Sequence, residues 1–175
     1  MAANPETEPP IDAALDGDAR AVAAWLDEGG GVDAGCAEFE DGTLLMNAAQ
    51  GGQEAVVRML LQRGASVNLQ DSLGGTALMD AAIEGRTTIV QALLDAKADA
   101  SLQDENGYTA LVFAEHHKHN ATAQLLRQHA ERQAAEVKAK ATAAAAELLA
   151  EEKEEREAAT KATNLQQEAI EPAPS

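Results

Sequence analysis

The chain has 175 residues, room for one ordinary domain with appendages, and its 45% hydrophobic share is mostly Ala and Leu with only 2% aromatic residues, which excludes a thick core built on large rings. A formal charge of −17 disfavours phosphate backbones and anionic lipid surfaces, and no run approaches the roughly 20 apolar residues of a membrane helix. Direct binding to nucleic acid or membrane is therefore not expected, and a lone Cys36 rules out an intrachain disulfide and fits a reducing, intracellular setting, cytoplasmic or nuclear.

The first ten residues are acidic and Pro-rich, lack an apolar secretory core and any basic residue, and read as disordered. Ile11-Asp-Ala-Ala-Leu-Asp-Gly17 followed by Val22-Ala-Ala-Trp-Leu26 and Gly29-Gly-Gly-Val-Asp33 then has the pattern of two short helices and a turn. The connection Ala34–Asp41 holds two more residues than its later counterparts, so its hairpin is expected to be longer, with a tip that protrudes.

From there a period becomes explicit. Thr43, Thr76 and Thr109 recur every 33 residues, and Leu45, Leu78 and Leu111 keep the same register, as do Ala48, Ala81 and Ala114, and Leu60, Leu93 and Leu126. Within the unit that starts at Asp71, the Gly74 region predicts a turn and Thr76 a cap on a short helix from Ala77, which Gly85 stops. Thr87–Ala96 then sets Ile89, Val90, Leu93 and Leu94 on one face of a second, more apolar helix. In the final copy Lys118 replaces the stopping Gly, and Arg127 and Glu131 stand where Leu94 and Ala98 stood, a polar outer face suited to the end of a stack.

Thr43-Leu-Leu-Met-Asn-Ala-Ala-Gln-Gly-Gly52 and Val56-Val-Arg-Met-Leu-Leu-Gln-Arg-Gly-Ala-Ser-Val-Asn68 resemble the ankyrin repeat family, although Leu44, Ala77 and Ala110 occupy the place of its usual Pro. The resemblance implies an all-α repeat solenoid of helix-helix-hairpin units, here four repeats over 11–40, 41–70, 71–103 and 104–130. It also implies a module that binds another protein through its hairpin tips and the exposed, concave side of each first helix. Position by position that gives Ser72, Leu73, Gly75, Ile83 and Glu84 in one repeat, and Glu105, Asn106, Tyr108, His116 and His117 in the next; Gly42, Gln50 and Gly51 hold matching places earlier. Leu73, Ile83 and Tyr108 would be apolar anchors, and the acidic residues a rim favouring a partner with a basic surface. Asn68 further resembles an asparagine that some members have hydroxylated, while its ordinary use is to hydrogen-bond a loop.

Residues 131–175 turn to Ala, Glu, Lys and Gln, with the helix-supporting pairs Glu136 and Lys140, Glu152 and Arg156, and Glu157 and Lys161. A charged Ala-rich helix fraying near Pro172 is expected. Its best coiled-coil seam, Val137, Ala141, Ala144 and Leu148, lands next on Glu151 and Glu155, so the chain is expected to be monomeric. Assembly through this tail is the alternative to an adaptor or inhibitor.

Chemistry at a site finds little support. His116 and His119 could share a helix face but no third ligand is evident, so no metal is expected. Asp104–Glu115 has the length of a calcium loop, but Tyr108 and Thr109 occupy its ligand and glycine positions. Gly29-Gly-Gly31 lacks the Lys of a phosphate loop, and Cys36 lies among Glu38, Glu40 and Asp41 with no base to activate it. Neither a cofactor nor catalysis is expected.

Overall fold

The computed structural model describes residues 8–36 and 42–168. The expected hairpin tip at 37–41, the side chain of Cys36, the acidic start of the chain before residue 8 and the fraying near Pro172 lie outside the described residues. The chain divides into two compact units that meet in sequence at residues 130 and 131.

In the first unit, short helices alternate in pairs: α1 (Ile11–Asp16) with α2 (Ala19–Asp27), α3 (Leu44–Gly51) with α4 (Glu54–Gln62), α5 (Ala77–Ile83) with α6 (Thr87–Asp95), and α7 (Ala110–His116) with the opening of α8 (Asn120–Glu168). The first helices of successive pairs pack on one another, α1 on α3, α3 on α5 and α5 on α7, and the outer helices follow, α2 on α4 and α4 on α6. This is an all-α repeat stack, and the shared period explains why: equal units present equal faces, so each pair buries its apolar stripe against the next. Two-residue strands β1 (Gly35–Cys36) and β2 (Gly42–Thr43) pair antiparallel, Gly35 opposite Thr43 and Cys36 opposite Gly42, at the base of the first hairpin.

The threonines start the inner helices. Thr43, Thr76 and Thr109 are extended residues whose hydroxyls accept from the backbone N–H of Met46, Met79 and Val112, at 3.3, 3.3 and 3.5 Å. Each satisfies a donor the helix itself leaves open. Inside the stack Leu44, Leu45, Met46, Ala48 and Ala49 are buried in α3, as are Ala77, Leu78, Met79, Ala81 and Ala82 in α5, while Val56, Val57 and Leu60, and Ile89, Val90, Leu93 and Leu94, fill the seam from the outer helices. Small residues let the inner helices come close. Gly51 marks the closest approach, since a Cβ there would lie 2.1 Å from the Leu15 carbonyl oxygen of the preceding repeat.

Helix ends are also stitched between repeats. Gln53 Nε2 donates to Leu15 O at 2.8 Å, and His119 Nε2 meets Ile83 O at 2.9 Å, each tying an outer-helix start to the end of the previous inner helix. On the opposite side, Ser66 N–H and hydroxyl donate to Asp33 at 2.8 and 2.6 Å, and Asp99 N–H donates to Asn68 Oδ1 at 2.8 Å. These bonds meet backbone groups that short helices and turns would otherwise leave unpaired.

At the last repeat the stack closes. Glu115 stands in register with Ala82, which is fully buried, and Arg127 with Leu94, which is 3% exposed. Here the two form an ion pair at 2.5 Å on a surface open to water. Val112, in register with the buried Met79, is 40% exposed for the same reason.

The second unit is helical through Glu168, and residues 131–162 are exposed throughout, including Val137, Leu148 and Leu149. Of the Glu, Lys and Arg residues in this stretch, Lys153 and Glu157 form an ion pair, at 3.9 Å, rather than the three pairs expected from spacing. Thr142 and Thr160 turn their hydroxyls back to carbonyls of the preceding turn, at 2.6 Å to Lys138 and 2.7 Å to Arg156.

Candidate functional site

The hairpins of the third and fourth repeats are built by aspartates. Asp71 Oδ1 accepts from Leu73 N–H at 2.9 Å and Gly75 N–H at 2.7 Å; Asp104 Oδ1 accepts from Asn106 N–H at 3.0 Å and Tyr108 N–H at 2.7 Å. An aspartate that gathers its own backbone in this way fixes the turn without help from elsewhere.

Neighbouring hairpins are then joined. Glu105 N–H donates to Leu73 O at 2.9 Å, and Gln70 Nε2 donates to Gly74 O at 2.8 Å and Gln103 O at 2.9 Å. Gly74 is left-handed, with φ 79°, and a Cβ on it would lie 3.0 Å from Asp104 Cα. That approach needs glycine. The result is a continuous edge on which Ser72, Leu73, Glu105, Asn106 and Tyr108 are exposed. Leu73 is 40% and Tyr108 49% exposed, the latter ring standing edge-on to Phe113 with centroids 5.9 Å apart. Two exposed apolar side chains on backbone held this firmly lose little entropy when covered.

The remaining candidates sit at helix ends. Glu84 follows α5 and is exposed, and Ile83 is half-buried, with its carbonyl taken by His119. His116 and His117 end α7 and are exposed, their rings 5.2 Å apart, and His117 lies nearly parallel to His119 at 6.2 Å. Gln50 is exposed, but Gly42 is buried in the strand pair and Gly51 packs against Leu15, so those two glycines serve the stack. Among the described residues no three His, Cys, Asp or Glu side chains are arranged to hold a metal ion. No described helix is long and apolar enough to cross a membrane.

One residue on this side escaped the sequence reading. Asp80 is half-buried on α5, and burial, with the nearby Asp71 and Glu84 carboxylates, pushes its pKa up to about 7. The signal available was its register: Asn47 and Phe113 hold the equivalent positions, so an acid there departs from the pattern. Asp99 moves the other way, its carboxyl held below the usual range by the Ser101 hydroxyl and N–H.

Comparison with known families points the same way. The family model described as ankyrin repeats, in three copies, matches residues 11–104 and again residues 45–141. No curated protein matches the chain.

Proposed function

Because the chain belongs to the ankyrin repeat family, whose repeats are in general protein–protein interaction modules, we propose that it is an adaptor or inhibitor that occupies the surface of one partner protein inside the cell. Contact is made by the edge formed by Ser72, Leu73, Glu105, Asn106 and Tyr108 and by the adjoining helix ends at Ile83, Glu84, His116 and His117. The observation that carries this reading is the joined pair of hairpins, which holds Leu73 and Tyr108 exposed on rigid backbone. A net charge of −17 steers a basic partner towards it. The protein acts as a monomer and without catalysis.

Affinity capture from the native lysate tests this, comparing the wild-type chain with a folded Leu73→Ala, Ile83→Ala, Tyr108→Ala variant. A protein retained by wild type and lost by the variant supports the assignment. Equal capture by both moves the site elsewhere. A second reading is favoured by the exposed Val137, Leu148 and Leu149: assembly through the tail helix. Sedimentation of the full chain as a dimer that Leu148→Glu, Leu149→Glu dissociates would establish it.

A further inference from the structure

Asn106 is the one asparagine of the chain that precedes a glycine; the others precede Pro5, Ala48, Leu69, Ala121 and Leu165. The pairing matters chemically. A backbone nitrogen that follows asparagine can attack the side-chain amide carbon, and a Cβ on the attacking residue obstructs that approach, whereas glycine has none. Asn106 and Gly107 are both exposed on the hairpin edge, and a Cβ added to Gly107 would meet nothing within 4 Å. The other asparagines near this surface are held: the buried Asn47 amide donates to Thr43 O at 3.0 Å, and Asn68 accepts from Asp99 N–H at 2.8 Å and donates to Lys97 O at 3.4 Å.

What restrains Asn106 is the turn itself. Gly107 N–H donates to Asp104 O at 2.9 Å, so the nitrogen is committed until the turn opens. Tyr108 N–H donates to Asp104 Oδ1 at 2.7 Å, and Asp104 N–H donates to Tyr108 O at 3.0 Å. Both of those bonds need the backbone between residues 104 and 108 to keep its length.

We propose that Asn106–Gly107 is a self-modifying site that converts from asparagine to aspartate and isoaspartate at a rate set by opening of the Asp104–Gly107 turn, and that isoaspartate unseats Tyr108 from the contact edge. The Gly107 nitrogen, its proton lost to water, forms a bond to Asn106 Cγ; the Cγ–Nδ2 bond breaks, and ammonia leaves with a proton returned from water. Water then opens the cyclic imide at either carbonyl, and its oxygen enters the new carboxylate. Opening at the Asn106 main-chain carbonyl leaves isoaspartate, whose backbone runs through Cβ and Cγ and is one carbon longer. That length puts Tyr108 out of register with Asp104. Either product adds a carboxylate to a chain whose formal charge is already −17. The effect on a partner rests on the binding reading above; the chemistry does not.

The test incubates the full chain in heavy-oxygen water at pH 6 and pH 8 and follows it by peptide mass spectrometry with chromatographic separation of aspartate from isoaspartate. Conversion is expected at Asn106 with one heavy oxygen per event, faster at pH 8 because the attacking nitrogen must lose its proton, while Asn68 and Asn120 stay intact. The urea-unfolded chain is expected to convert Asn106 about tenfold faster, since its turn is always open. Asp104→Ala, which removes the acceptor of Tyr108 N–H, is expected to hasten conversion in the folded chain. Asn106 that stays intact in the folded chain while the unfolded chain converts, or equal rates in the two, overturns the proposal. The isoaspartate form, isolated by ion exchange, is expected to retain the cellular partner about tenfold more weakly than wild type, and Asn106→Asp, which adds the charge without the extra carbon, to stay closer to wild type. If the isoaspartate form captures the partner as well as wild type while the Leu73, Ile83, Tyr108 variant loses it, the effect on the edge falls and the binding reading stands; if that variant keeps the partner too, both fall.

Discussion

Between pH 4 and 7 the folded chain holds a proton on Asp80 that the unfolded chain has lost, because burial and the Asp71 and Glu84 carboxylates raise its pKa from 3.8 to about 7. The sign follows from that difference: the stability tied to this proton is full below 3.8 and disappears as the pH rises through about 7. Water reaches part of the residue, which leaves an effect on the order of 2 kcal/mol. The urea midpoint of the wild-type chain is expected to fall between pH 5 and pH 8 by more than that of Asp80→Asn. Parallel curves for the two proteins would show that Asp80 is ionised throughout. Two lysines carry a different cost. Lys97 and Lys118 are left-handed, with φ 69° and 61°, where the earlier repeats place Gly64 and Gly85. Lys118→Gly is expected to raise stability by about 1 kcal/mol in a denaturant titration, since glycine enters that region without a Cβ clash; unchanged stability would mean that the lysine side chain makes up the difference.

At the scale of elements, the inner helices were legible because each signal is local: a threonine cap, an Ala-rich face and a stop follow one another within a single short stretch of chain, Thr76 to Gly85 in α5. Thr76, Ala77 and Gly85 give α5 its bounds before any tertiary contact is known, and the 33-residue register carries the same reading to α3 and α7. The hairpin edge was readable for the same reason, as Asp71 and Asp104 act on their own loops. What stayed hidden depends on pairs from different repeats. Nothing in the sequence says that Gln53 and His119 meet the carbonyls of Leu15 and Ile83, because the acceptors are backbone groups that any residue would supply. Nor does Asp80 announce its burial, which α5 gains only from its neighbours. Spacing likewise named three ion pairs for the tail, whereas long side chains on an exposed helix gain little from any one partner. His119→Ala is expected to cost about 1–2 kcal/mol, by leaving Ile83 O without its donor at a packed helix end. Amide exchange in α7 should quicken with it, and exchange matching wild type there would show the bond to be dispensable.

Considered whole, the first unit is a stack that grows by repetition and must be stopped. Glu115 and Arg127 do this by setting an ion pair where an interior repeat has Ala82 and Leu94. Replacing the pair with Glu115→Ala, Arg127→Leu returns the end to the composition of a stacking face beside the exposed Val112. The double variant is expected to self-associate at concentrations where wild type sediments as one species, and a monomeric double variant would place the stop elsewhere. With its end closed in this way, the stack keeps the hairpin edge and the adjoining inner-helix ends exposed, and these are the surface we propose for a partner. The most direct measurement is hydrogen–deuterium exchange on the full chain with and without the protein it captures. Protection is expected over residues 72–84 and 104–117 and not over 131–168. Protection confined to 131–168, or to the outer helices α4 and α6, would contradict the account.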